Sequence, residues 1–232
     1  MNQIDWSRAI DAYCERVGST FWAEPINAVT NIAFFIGAWV AWRLAGELGR
    51  RDAAVTFLTI NLTAIGIGSF LFHTFATRWA AAMDTTPIMI FILGYFAVAM
   101  RHYVGLSRWE SAGATVALLF GFVGLSWVFN LLLRDLIGGS VSYFPALVML
   151  FAVGGMLASK AHPAGRGLLI AGGLFAVSLT FRALDHPTCG SWPYGTHFMW
   201  HLLNGTLLGV LMVTLVRHGL AQPLLDRRSL AA

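Results

Sequence analysis

An all-α membrane protein, a bundle of seven transmembrane helices, is the fold class this sequence predicts, and three observations predict it. Hydrophobic residues make up 57% of the 232-residue chain and charged residues only 11%, against roughly 25% charged in soluble domains. Apolar runs reach the ~17–25 residues that cross about 30 Å of hydrocarbon as a helix. The runs are continuous rather than alternating, which excludes a membrane β-barrel.

The elements follow in chain order. Residues 4–17 mix Ile4, Trp6, Ile10 and Tyr13 with charges, a pattern that predicts a short amphipathic helix lying at the outer interface. Asp5, Arg8, Asp11, Glu15 and Arg16 interrupt the first 26 residues, so no cleavable signal is expected and the first span acts as the anchor. The spans are expected at about 27–45, 53–74, 84–101, 110–133, 141–158, 166–184 and 195–217. Between the last two, Pro187, Gly190, Pro193 and Gly195 break any helix and make residues 184–196 the longest non-helical stretch. Gly205 and Gly209 form a GxxxG in the seventh span that permits close helix approach. The other loops are short, so residues 1–232 are read as one domain, with residues 1–26 as its outer N-terminal segment.

Seven spans put the two termini on opposite sides, and basic residues set the orientation because they are retained in the cytoplasm. Arg43, Arg50, Arg51, Arg101, Arg108, Lys160, Arg166, Arg217, Arg227 and Arg228 fall on the C-terminal side, and Arg8, Arg16, Arg78, Arg134 and Arg182 on the other. The N-terminus is therefore expected outside and the C-terminus in the cytoplasm. The net charge of +4 reflects this topology; the basic residues form no stripe, and no nucleic-acid partner is expected.

Polar chemistry concentrates at the outer end of three spans. Ser69 and His73 lie four apart in GSFLFHT, and His197 and His201 four apart in THFMWH, spacings that stack side chains on one helix face. Three imidazoles with one open position form the ligand set of a catalytic zinc, which lowers the pKa of bound water to about 7. The pattern HxxxH lacks the glutamate base of HExxH hydrolases. Asp84 is the nearest substitute, either as general base or as a helix cap with Pro87 in the first turn. Ser69 either eases helix packing or donates to an oxyanion. A Ser69–His73–Asp84 triad is a rival reading, but it leaves His197 and His201 unexplained.

Asp185 reads equally as a cap, a loop residue or an acceptor that orients a ligand histidine. His102, His162 and His218 sit near basic residues and read as solvated groups on the inner side. Cys14 and Cys189 are the only cysteines; the topology puts both outside, where a pair can form a disulfide.

The chain resembles the alkaline ceramidase family, within the wider superfamily that includes the adiponectin and progestin receptors. The resemblance rests on YCER at Tyr13–Arg16, AEPINAVTN at Ala23–Asn31, GSFLFHT at Gly68–Thr74, Asp84 fifteen residues after Ser69, Asp185 with Cys189, and THFMWH at Thr196–His201. It implies a zinc held by His73, His197 and His201, assistance from Ser69 and Asp84, a disulfide joining Cys14 to Cys189, and hydrolysis of ceramide to sphingosine and a fatty acid. Animal members also bind calcium near the N-terminus. Glu15 and Glu24 match that pattern, whereas Ala12 and Val17 stand where an aspartate and an asparagine are expected, with Asp11 one place off. The motif wording is closer to bacterial members, which implies a bacterial inner membrane; the orientation expected from the basic residues puts the site on the side of the outer leaflet.

The sequence thus predicts a zinc hydrolase of a long-chain lipid amide. A receptor-like or lipid-binding protein with a structural zinc is the alternative, less favoured because structural zinc sites usually close with four ligands. A transporter would show broken helices or paired repeats, and neither is visible.

Overall fold

In a membrane every backbone N–H and C=O must find its partner within the chain, so long apolar segments become helices. The computed structural model describes residues 4–219 and is 79% helix. Seven helical segments are long and apolar enough to cross a bilayer. The first combines α1 (Pro25–Thr30) and α2 (Ile32–Glu47). The second is α3 (Ala53–Phe75), and the third is α4 (Arg78–Ala99), which continues into a π-helical turn over Met100–Val104. Then come α5 (Arg108–Ile137), a 3-10 segment (Gly138–Tyr143) leading into α6 (Phe144–Ser159), α7 (Ala164–Thr188) and α8 (His197–His218).

Packing places α8 between α2 and α7, and α3 against both α2 and α4. Lipid tails are as apolar as leucine, so small residues that let backbones approach are what hold such helices together. The GxxxG of α8 works in this way: a Cβ on Gly205 would meet the Ala33 carbonyl carbon at 2.6 Å, and one on Gly37 would meet the Gly205 carbonyl oxygen at 2.8 Å. Trp109, Phe120, Trp127 and Leu131 leave the outer face of α5 apolar and exposed, as a lipid-facing span requires.

Three expectations change. Residues 4–17 form turns and an isolated bridge between Ala9 and Thr77, not a helix. Their backbone groups bond instead to the α3–α4 link: Ile10 N–H donates to the Ala76 carbonyl at 2.7 Å, and Trp79 N–H to the Trp6 carbonyl at 3.1 Å. The third span starts at Arg78 with Thr77 as its N-cap, so Asp84 lies inside α4 and is not its cap. The helix tolerates Pro87 in its interior, which leaves the Met83 carbonyl without its usual i+4 donor. Likewise α7 runs through Pro187 to Thr188, and the loop before α8 shortens to residues 189–196. Arg227 and Arg228, counted in the orientation, lie outside the described residues.

His162 also departs from a solvated group. It is buried against the Tyr103 ring, accepts the Ala164 N–H through Nδ1 at 3.2 Å, and its Nε2 has no partner. Burial lowers its pKa from the ordinary histidine value.

Candidate metal centre

The link between α3 and α4 is only Ala76 and Thr77, so the end of α3 and the start of α4 are forced side by side. The start of α8 reaches the same end of the bundle. His73 stands two residues before the end of α3, His197 opens α8, and His201 follows one turn later. All three rings are buried, and one ligand nitrogen from each lies within 4.8 Å of the others. Ring centroids are 5.2, 4.6 and 4.7 Å apart.

Hydrogen bonds fix which nitrogens face inward. His73 Nδ1 lies 2.6 Å from Glu24 Oε2. A carboxylate only accepts, so Nδ1 carries the proton and Nε2 keeps its lone pair. The Thr30 hydroxyl donates its single proton to the Ile26 carbonyl at 2.8 Å and therefore accepts from His201 Nδ1 at 3.0 Å. His201 Nε2 is left with its lone pair, buried and without a protein partner. His197 stacks on the Tyr13 ring at 3.6 Å between centroids, and its Nδ1 is likewise buried without a partner. Three buried imidazoles that each bring one ring nitrogen within 4.8 Å of the others fit a metal of the zinc type.

Glu24 is the hub of the surrounding shell. Its Oε1 accepts from Arg16 Nε in a buried ion pair, and its Oε2 also accepts from Asn27 Nδ2 at 3.2 Å. Burial pushes its carboxyl pKa up, and the Arg16 guanidinium opposes that shift. Arg16 donates further to the His73 carbonyl at 3.0 Å. Glu15 accepts the N–H groups of Ile26 at 2.6 Å and Asn27 at 2.8 Å, which satisfies the first turn of α1. Burial raises its pKa too, against those two bonds. Both carboxylates are thus committed, and a guanidinium sits on one of them. A calcium ion takes six to eight oxygens, and this set does not fit one.

Ser69 is buried one turn before His73, and its hydroxyl lies beside the Asp84 carboxylate of α4. Close helix approach makes this possible. A Cβ on Gly68 would collide with the Met83 carbonyl, the one freed by Pro87, and would meet Asp84 N at 3.1 Å. The acceptor for His73 is Glu24 and not Asp84, so the Ser69–His73–Asp84 triad is not the arrangement found.

Asp185 proves to be a backbone anchor. Oδ1 accepts the N–H groups of Thr196 at 2.8 Å and His197 at 2.9 Å, capping α8, while Oδ2 accepts that of Cys14 at 3.0 Å. Cys14 and Cys189 form a disulfide with their Cα atoms 5.3 Å apart. Sequence reasoning missed Thr30 and the histidine-orienting role of Glu24. It also counted Arg182 only toward the orientation, although an arginine inside an apolar run is a signal in itself.

Beside the metal centre an apolar cavity opens within the bundle, with Phe34, Ile65, Phe91, Tyr95, Tyr143 and Trp200 among its walls. Fold and site together define a multi-pass membrane protein with a buried three-histidine centre next to an apolar chamber. The ceramidase family model matches residues 9–228, and the chain belongs to that family. Membership supports a membrane-associated hydrolase with a lipid substrate. No curated protein matches the chain.

Proposed function

We propose that the protein is a zinc-dependent hydrolase that cleaves the amide bond of ceramide or a related long-chain lipid amide, releasing a fatty acid and a sphingoid base or amine. The observation that carries the reading is the set of three buried imidazoles, two of them held by Glu24 and Thr30 with their lone pairs turned inward. Zinc held by His73, His197 and His201 would supply a Lewis acid and a water of lowered pKa. Asp84 accepts the proton of the attacking water and returns it to the leaving nitrogen. Ser69, whose hydroxyl lies beside Asp84, turns its single proton to the carbonyl oxygen once Asp84 has taken up the proton of the water. The apolar chamber takes the acyl tail, each buried methylene contributing about 0.8 kcal/mol of binding. With the N-terminus outside, as the distribution of arginine and lysine favours, the centre faces the outer leaflet of a bacterial inner membrane.

The test is release of fatty acid and sphingoid base from ceramides of graded acyl length by protein in lipid nanodiscs. Metal-dependent release that rises with chain length is expected. His197→Ala should lose zinc and activity together. Asp84→Asn and Ser69→Ala should keep zinc and fold but turn over roughly 10²-fold more slowly. No hydrolysis of any lipid amide by zinc-loaded protein would sink the proposal and leave the receptor-like alternative.

A further inference from the structure

Arg182 lies inside the membrane-spanning helix α7, a place where a cation is costly and normally needs a partner. The guanidinium lies over the rings of Tyr143 and Trp200, 5.4 Å from each centroid. Its hydrogen bonds go to two hydroxyls, Ser140 Oγ at 3.0 Å and Tyr13 OH at 3.4 Å. No carboxylate stands within ion-pair distance of it among the described residues. Asp185, one turn on, is occupied by three backbone N–H groups. A guanidinium has five N–H donors, so most of its donating capacity is unused by the protein, and its charge meets only two aromatic rings and the Asp84 carboxylate beyond contact distance.

The surroundings say what would match them. Tyr143 and Trp200, the two rings under Arg182, are also walls of the apolar chamber. Tyr13, which accepts from Arg182, stacks on His197. Arg182 therefore stands where the chamber meets the metal centre. A ligand for this spot combines a compact planar anion, which a guanidinium grips through two parallel bonds, with a long apolar tail that fills the chamber.

We propose that Arg182 is the carboxylate-binding residue for a long-chain fatty acid lodged in the chamber. The source of that acid in the cell rests on the amide hydrolysis proposed above, where it is the product. The binding itself does not, because it needs no turnover.

The test compares retention of radiolabelled palmitate and 1-hexadecanol by protein-loaded and empty nanodiscs, at a pH where the acid is ionised. The two tails are alike, so their difference reads the head group. Wild-type protein should hold the acid at least tenfold better than the alcohol, the range of a charge-assisted hydrogen bond. Arg182→Met should abolish most of that preference with zinc content and the Cys14–Cys189 disulfide intact, while Arg182→Lys should keep part of it. Should Arg182→Met fail to fold, Arg182→Gln carries the same comparison. Equal retention of acid and alcohol by wild type, or a preference undiminished in the folded neutral variant, overturns the assignment. A preference that depends on Arg182 in a protein that hydrolyses no amide would keep this site and remove the enzyme reading.

Discussion

Glu24 connects a buried cation to a buried histidine. It accepts from Arg16 on one oxygen and from His73 Nδ1 on the other, and so fixes the tautomer that leaves His73 Nε2 free. Partners of this kind set the orientation and basicity of metal-ligating histidines, and losing one typically costs ~10–100-fold in metal affinity. Glu24→Gln should therefore weaken zinc binding by about that factor in chelator competition, with the disulfide and helix content retained. Unchanged zinc affinity would reduce Glu24 to a partner of Arg16 alone. The three histidines were legible from spacing, because residues four apart share a helix face whatever the tertiary fold. Glu24 and Thr30 were not legible as their acceptors. They reach His73 and His201 across sequence separations of 49 and 171 residues, and nothing local in AEPINAVT signals which ring each will meet.

At the scale of elements, the number of spans was legible because a bilayer demands length and hydrophobicity, both of which composition reports directly. Helix ends were less so. Proline was read as a stop at Pro187, yet α7 continues through it, and α4 starts six residues before Asp84. Membrane helices tolerate such breaks because neighbours satisfy or shield the freed groups. The break at Pro87 has a local use. The Met83 carbonyl it frees faces Gly68, and this contact brings Ser69 of α3 to Asp84 of α4. Gly68→Ala should thus force the two helices apart. We expect a loss of ~1–3 kcal/mol of stability, as overpacking usually costs, and a fall in turnover larger than the fall in bound zinc. Thermal melting, metal analysis and lipid hydrolysis on the same preparation check this. Turnover and melting unaltered from wild type would mean that the helix contact does not set the Ser69–Asp84 geometry.

At the scale of the bundle, the segment around Tyr13–Arg16 closes over the metal centre. The Cys14–Cys189 disulfide, the Asp185 bonds to Cys14, Thr196 and His197, and the Glu15 bonds to α1 converge on one end of the bundle. The N-terminal segment is therefore part of the site, with Tyr13 stacked on His197 and Arg16 bonded to the His73 carbonyl. Its expected amphipathic helix was wrong for a physical reason: its backbone groups pair with residues 76–79, a partner that hydrophobic periodicity cannot reveal. Breaking the cross-link tests how far this closure matters. The disulfide spans 175 residues of chain, and removing such a bond commonly costs 2–5 kcal/mol, chiefly by freeing the unfolded chain. Cys14→Ser and Cys189→Ser should each lower stability by about that amount, and a non-reducing peptide map of wild type should show the two cysteines joined. Because Tyr13 and Arg16 flank Cys14, the same variants should also release zinc to a chelator faster than wild type does. Two freely alkylated thiols in native protein would contradict the bond and weaken the placement of this end of the bundle on the oxidising side of the membrane. A stability loss with unchanged zinc release would instead make the segment a clamp on the fold, with no part in holding the metal ligands.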